Sequence, residues 1–155
     1  MGALKTQLRA DLTTAMRARE TLRIATLRLT LAAITNAEVG GDTARELDDA
    51  EEQAVLTREV RKRREAAETY AGAGRTELAD AERAEERIIE EYLPRQLDDA
   101  AVTALVDEAV RQVTDASGAR PGRAQMGQVM KAATAAAAGR AEGARVAAAV
   151  RSALA

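Results

Sequence analysis

The chain has 155 residues, a formal net charge of −2, no cysteine and no histidine, and 38 alanines within its 46% hydrophobic share. That length suits one compact unit or two small ones. Without thiol or imidazole, disulfides, thiolate metal sites and the commonest general base and metal ligand are excluded.

Alanine favours helix but fills a core poorly, so the core must come from Leu, Val, Ile and Met in closely packed helices. Leu4, Leu8, Leu12, Ala15 and Met16 recur at helical spacing, and so do Ile24, Leu27, Leu31 and Ile34. Two amphipathic helices are expected there. Gly40 and Gly41 break the pattern. Asp48, three residues before Glu51, then reads as a capping box opening a third helix with Val55, Leu56, Val60, Ala67 and Tyr70 inward. Gly72 and Gly74 close it. A fourth helix is expected from about Thr76 to Leu93, with Leu78, Ala81, Ala84, Ile88, Ile89 and Tyr92 inward, stopped by Pro94.

Asp98 reads as the N-cap of a fifth helix, whose stripe is Val102, Leu105, Val106, Ala109, Val110 and Val113. "DASGARPGRA" is a loop. Met126, Val129, Met130 and Ala133 mark a sixth helix with Gly139 as its C′ residue, and Val146, Val150 and Leu154 mark a seventh. Nothing alternates at period two. The expected fold is all-α: an N-terminal domain of about four helices over 1–93 and a C-terminal three-helix domain over 94–155.

Charge is uneven: +3 over residues 1–45, −9 over 46–114 and +4 over 115–155. The N-terminus "MGALKTQLRADL" has no apolar run of signal-peptide length, and no segment approaches the roughly 20 apolar residues of a membrane span. A cytoplasmic protein without membrane contact is expected.

Few groups remain for chemistry. Ser117 and Ser152 are the only serines, and neither has a lysine nearby in sequence to activate it. "GARPGR" lacks the spacing of a phosphate-cradling loop. Glu82, Glu86 and Glu90 share a helical face, readable as a hard-cation or acid–base site, or as a solvated face interleaved with Arg83 and Arg87. "REVRKRR" at 58–64 reads as a phosphate-binding stripe or as a charged helix surface paired with Glu59, Glu65 and Glu68. With only Tyr70 and Tyr92 as aromatic residues, bases cannot be stacked on any scale, so RNA would be met by shape and phosphate contacts. No catalytic residue, cofactor or metal ligand is assigned.

Three stretches, "LRIATLRLTLAAITNAEV", "LTREVRKRREAAETYAGAGRTELADAERAEERIIEEYLPRQL" and "MGQVMKAATAAAAGRAEGARV", resemble the GatB/YqeY family in order and spacing. The likeness covers essentially the whole chain. It implies an N-terminal helical domain and a C-terminal three-helix domain similar to the tail of the GatB chain of the tRNA-dependent amidotransferase. It also implies carbon–nitrogen ligase activity with glutamine as amido-N donor, which the residue inventory disfavours for this chain alone. Met126, Gly127, Val129 and Met130 match the family's helix start, and Gly139, Arg140, Ala141 and Gly143 its glycine–arginine turn. Gln128 and Ala144 stand where lysine is frequent, Glu142 where aspartate is, and a proline is common near Ala135.

The resemblance therefore implies an accessory protein whose partner is tRNA or the tRNA-amidation or aminoacylation machinery. Arg123, Lys131, Arg140 and Arg145 are the expected RNA-binding residues, and Gly127, Gly139 and Gly143 the turn residues. Arg140 is readable equally as a cap on the preceding carbonyls. The alternative is a helical protein–protein or homo-oligomerisation module without RNA contact.

Overall fold

A computed structural model describes residues 1–155. Seven α-helices and one 3₁₀ turn, Arg123–Gln125, make up the ordered elements: α1 Ala3–Ala18, α2 Thr21–Val39, α3 Asp49–Gly72, α4 Thr76–Glu90, α5 Asp99–Ser117, α6 Met126–Ala137 and α7 Gly143–Ala153. There are no strands. The chain divides into two compact units, Met1–Leu93 and Pro94–Ala155. No helix is long and apolar enough to cross a membrane.

The first unit is built on Leu8, Leu27, Ile34, Leu56 and Ile89, each essentially inaccessible. α3 opens with the expected capping box: Asp48 accepts from the Glu51 amide at 2.8 Å, and Glu51 accepts from the Asp48 amide at 3.0 Å. The Arg45 guanidinium beside Glu51 holds that carboxyl down to about 2. α1 has no capping side chain of its own, because Gly2 occupies its N-cap. The first turn of α3 supplies the acceptors instead. Glu52, wholly buried, accepts from the amides of Gly2 (3.1 Å) and Lys5 (3.0 Å), and Asp49 accepts from the amide of Ala3 at 2.7 Å. These are donors that a helix start leaves unpaired. A methyl group on Gly2 would collide with the Glu52 carboxyl, so only glycine leaves room for this arrangement.

α1 turns into α2 through Arg19, which holds a left-handed conformation at φ 58°. That geometry costs a non-glycine residue about 1–2 kcal/mol. α3 and α4 form a hairpin whose turn uses Gly74 at φ 73°.

Three expected core positions are exposed. Met16 is 50% exposed and Leu78 43%, and Ala81 is also exposed. For α4 the reason is the chemistry of its neighbour. Its inner face is set by Ala79, Ile89 and Tyr92, with Glu85 and Glu86 turned toward arginines of α3. A stripe traced only through apolar residues rotates the helix away from that face.

The second unit packs α5, α6 and α7 around Val106, Val110, Val129, Val146 and Val150, with Ala109, Ala133 and Ala137 between them. The stripe expected for α5 is the one buried, with Leu105 at its edge. Asp98 caps α5 by accepting from the Ala101 amide at 2.8 Å.

Candidate functional site

The corner between α6 and α7 holds the residues singled out as turn and RNA-binding positions. α6 ends through two consecutive left-handed residues, Ala138 at φ 49° and Gly139 at φ 77°. Gly139 thus sits one residue past the helix cap, at the expected C′ position. Arg140 folds back over the helix it follows: Nε donates to the Ala137 carbonyl at 3.1 Å and Nη2 to that of Ala136 at 3.0 Å. A cation there is favoured by the helix C-terminus. Glu142 is the N-cap of α7 but gives it no side-chain capping bond, and Gly143 opens the helix.

This corner is clasped to the segment that leads into α5. The Leu97 amide donates to the Arg140 carbonyl at 2.7 Å, and Gln96 Nε2 donates to the Gly139 carbonyl at 3.2 Å. Arg145 Nη1 donates to the Leu97 carbonyl at 2.9 Å, and Nη2 pairs with Asp99 at 2.7 Å. Two sequence motifs more than 40 residues apart, "PRQLDD" and "GRAEGAR", therefore meet. Arg140 and Arg145 are held by acceptors within their own unit.

Arg123 and Lys131 differ from them. Both side chains are exposed and have no hydrogen-bond or ion-pair partner. Gly127 lies between them, in the first turn of α6 rather than in a turn between elements, and a methyl group there would meet nothing within 4 Å. Gly143 is equally open. Arg151 on α7 is a further exposed, unpaired cation that sequence reasoning did not single out; only its outward position reveals it. Arg120, by contrast, donates to the Ala153 carbonyl at 3.0 Å. Five of the six acids of this unit belong to α5, with Asp98 at its cap and Asp99, Asp107, Glu108 and Asp115 along it; the sixth, Glu142, is the N-cap of α7. The unit's unpaired cations therefore include Arg123, Lys131 and Arg151 on the 3₁₀ turn, α6 and α7.

The two charged motifs of the first unit explain each other. Arg63, 5% exposed, pairs with Glu85 at 3.0 Å and with Glu59 at 2.6 Å. Arg64 pairs with Glu86 at 2.8 Å and with Glu90 at 3.4 Å. The acidic face of α4 thus takes its cations from α3. Arg58, Arg61 and Lys62 stay exposed, so "REVRKRR" is part scaffold and part surface. Beside this network an open groove of about 600 Å³ runs between Leu29 and Ala32 of α2 and Arg58 and Lys62 of α3, with Glu82 on its rim.

At the end of α4, Tyr92 donates to Asp11 at 2.7 Å and accepts from Arg23 at 3.2 Å, while Arg23 pairs with Glu91 at 2.8 Å. Burial, reinforced by the Asp11 carboxylate, pushes the Tyr92 phenol up to about 12, against the opposing pull of Arg23. "EEYLPRQL" accordingly splits at the unit boundary: its Glu91 and Tyr92 lock the first unit, and its Gln96 and Leu97 clasp the second. Ser117, one of the two serines, has its hydroxyl 2.8 Å from the Val113 carbonyl and 2.9 Å from that of Ala119. Its proton is directed at main-chain acceptors.

The chain matches no curated protein. The family described as Yqey-like protein matches residues 5–154, and the chain belongs to that family.

Proposed function

We propose that the protein is a non-catalytic accessory that associates with tRNA, as part of the amidation or aminoacylation machinery, through the α6–α7 side of its second unit. One observation carries this reading: the exposed cations Arg123, Lys131 and Arg151 have no carboxylate partner, while every acid of the same unit except Glu142 lies on α5 or its cap. Unpaired lysine and arginine side chains exposed on a domain suit a phosphate backbone. Gly127, open on its outer side between Arg123 and Lys131, lets a backbone approach closely. The similarity of the C-terminal unit's sequence to the GatB tail of the amidotransferase supports the choice of tRNA.

The protein's part is binding and positioning. The Ser117 hydroxyl faces two carbonyls, and no cysteine or histidine is present to act as nucleophile or base. Filter binding of tRNA to the full chain over a salt series tests the reading. Binding at low salt that weakens linearly with the logarithm of salt concentration is expected. No binding at low salt, or a slope near zero, overturns it. Glutamine-dependent amidation of mischarged tRNA by the purified chain alone overturns the non-catalytic part.

A further inference from the structure

α2 is apolar on two faces. Its inner face carries Leu27 and Ile34 into the core. Its outer face presents Leu22, Ala25, Leu29, Ala32, Asn36 and Val39, all exposed. These positions alternate by three and four residues, the spacing of a coiled-coil seam, and hold one polar residue, Asn36. Leu22, Leu29 and Val39 are 45%, 53% and 59% exposed, so large aliphatic side chains face solvent along the helix. Such a continuous patch marks an interaction surface.

We infer that this face is the two-fold interface of a homodimer, with α2 packed antiparallel against α2 of a second copy. Three features of the surface select this occupant.

The first is size complementarity. Antiparallel pairing in which opposed residue numbers add to 61 sets Leu22 against Val39, Ala25 against Asn36 and Leu29 against Ala32. Leu29 thus faces a small residue, Asn36 faces another, and the pattern repeats across the two-fold, as an isologous contact requires.

The second is knob and hollow. Val39 projects at the C-terminal end of α2. At the other end lies an open hollow of about 420 Å³ lined by Met16, Ile24, Ala25 and Arg28. Antiparallel packing brings each Val39 to the partner's hollow.

The third is charge. The last turn of α2 holds no basic residue, although a helix C-terminus favours one. Arg19 and Arg28 rim the hollow and would supply that cation to the partner helix. Arg23 is paired with Glu91 and Glu38 with Lys5, and the flank beside Leu29, Ala32 and Asn36 carries both signs, Arg58 and Lys62 with Glu59 and Glu82, so it selects no partner of one charge.

This interface belongs to the first unit and is independent of the RNA reading. The seam spans fewer than three heptads and has alanine at two positions, so the dimer is concentration-dependent. Sedimentation equilibrium of the full chain, from micromolar to submillimolar, should show a monomer–dimer equilibrium. Leu29→Glu should raise the dissociation constant about tenfold or more with the circular dichroism unchanged, because Leu29 is already half-exposed in one copy. Leu78→Glu, at a leucine of α4 that is 43% exposed, should leave it unchanged.

The absence of native cysteine allows single spin labels to report orientation. Labels at Val39→Cys should lie about 25 Å apart along the helix axis. A chain that stays monomeric throughout, or a dimer indifferent to Leu29→Glu, overturns the inference. Val39 labels in close contact overturn the antiparallel arrangement.

Discussion

Glu52 shows how one side chain sets the start of a helix it does not belong to. Its carboxylate serves the Gly2 and Lys5 amides of α1 from a fully buried position. Glu52→Ala leaves those donors unpaired and should lower stability by about 2 kcal/mol, measured by urea unfolding. Glu52→Gln keeps an acceptor and should cost less. Tyr92 makes a second residue-scale claim. Its phenol is held above its ordinary value, so the folded state binds a proton that the unfolded chain releases between about pH 10 and 12. Its stabilising contribution is complete below pH 10 and declines as pH rises toward 12. Denaturation midpoints across that range should fall more steeply for the wild type than for Tyr92→Phe. Neither role is legible in the sequence, although the inward position of Tyr92 is. A glutamate in a helix's first turn reads as dipole compensation for its own helix, and a tyrosine on an apolar stripe reads as core.

At the scale of elements, the hydrophobic period served best where a helix meets only apolar neighbours. The stripe of α5 is that case, because α6 and α7 present valine and alanine to it. It misplaced Leu78 and Ala81 of α4, whose inner face also meets Arg63 and Arg64; on α2 the stripe of Ile24, Leu27, Leu31 and Ile34 does face the core, but the second apolar face went unread. The caps at Asp48 and Asp98 were legible because their signal is local; the α1 cap was not, because its acceptors arrive from α3. The α3–α4 pair gives the element-scale prediction. Arg63→Ala removes a buried cation from Glu59 and Glu85 and should cost about 3 kcal/mol. Lys62→Ala, on the exposed side of the same run, should change stability by no more than about 0.5 kcal/mol. Equal losses would mean that the α3–α4 network does not hold the hairpin.

At the scale of the whole molecule, the residues that carry the family likeness are largely the residues that hold each unit together. Tyr92 ties α4 to α1 and α2, and Gln96, Leu97, Arg140 and Arg145 clasp the α6–α7 corner. Arg140 was readable as a cap because its acceptors, Ala136 and Ala137, are local, whereas Arg145 is held by the Leu97 carbonyl 48 residues away, which no local signal announces. Geometry separates the four cations expected to face RNA: Arg140 and Arg145 have acceptors in their own unit, and the side chains of Arg123 and Lys131 do not. One pair therefore takes a structural part, and the proposed tRNA contact rests on the other. The most direct test compares Lys131→Ala with Arg145→Ala in tRNA binding over a salt series, with thermal stability measured alongside. Lys131→Ala should lower the salt slope by about 0.9 and leave stability unchanged. Arg145→Ala should leave the slope unchanged and lower stability by about 1–2 kcal/mol. A salt slope that Lys131→Ala leaves intact, or that Arg145→Ala alone reduces, would contradict this division of roles.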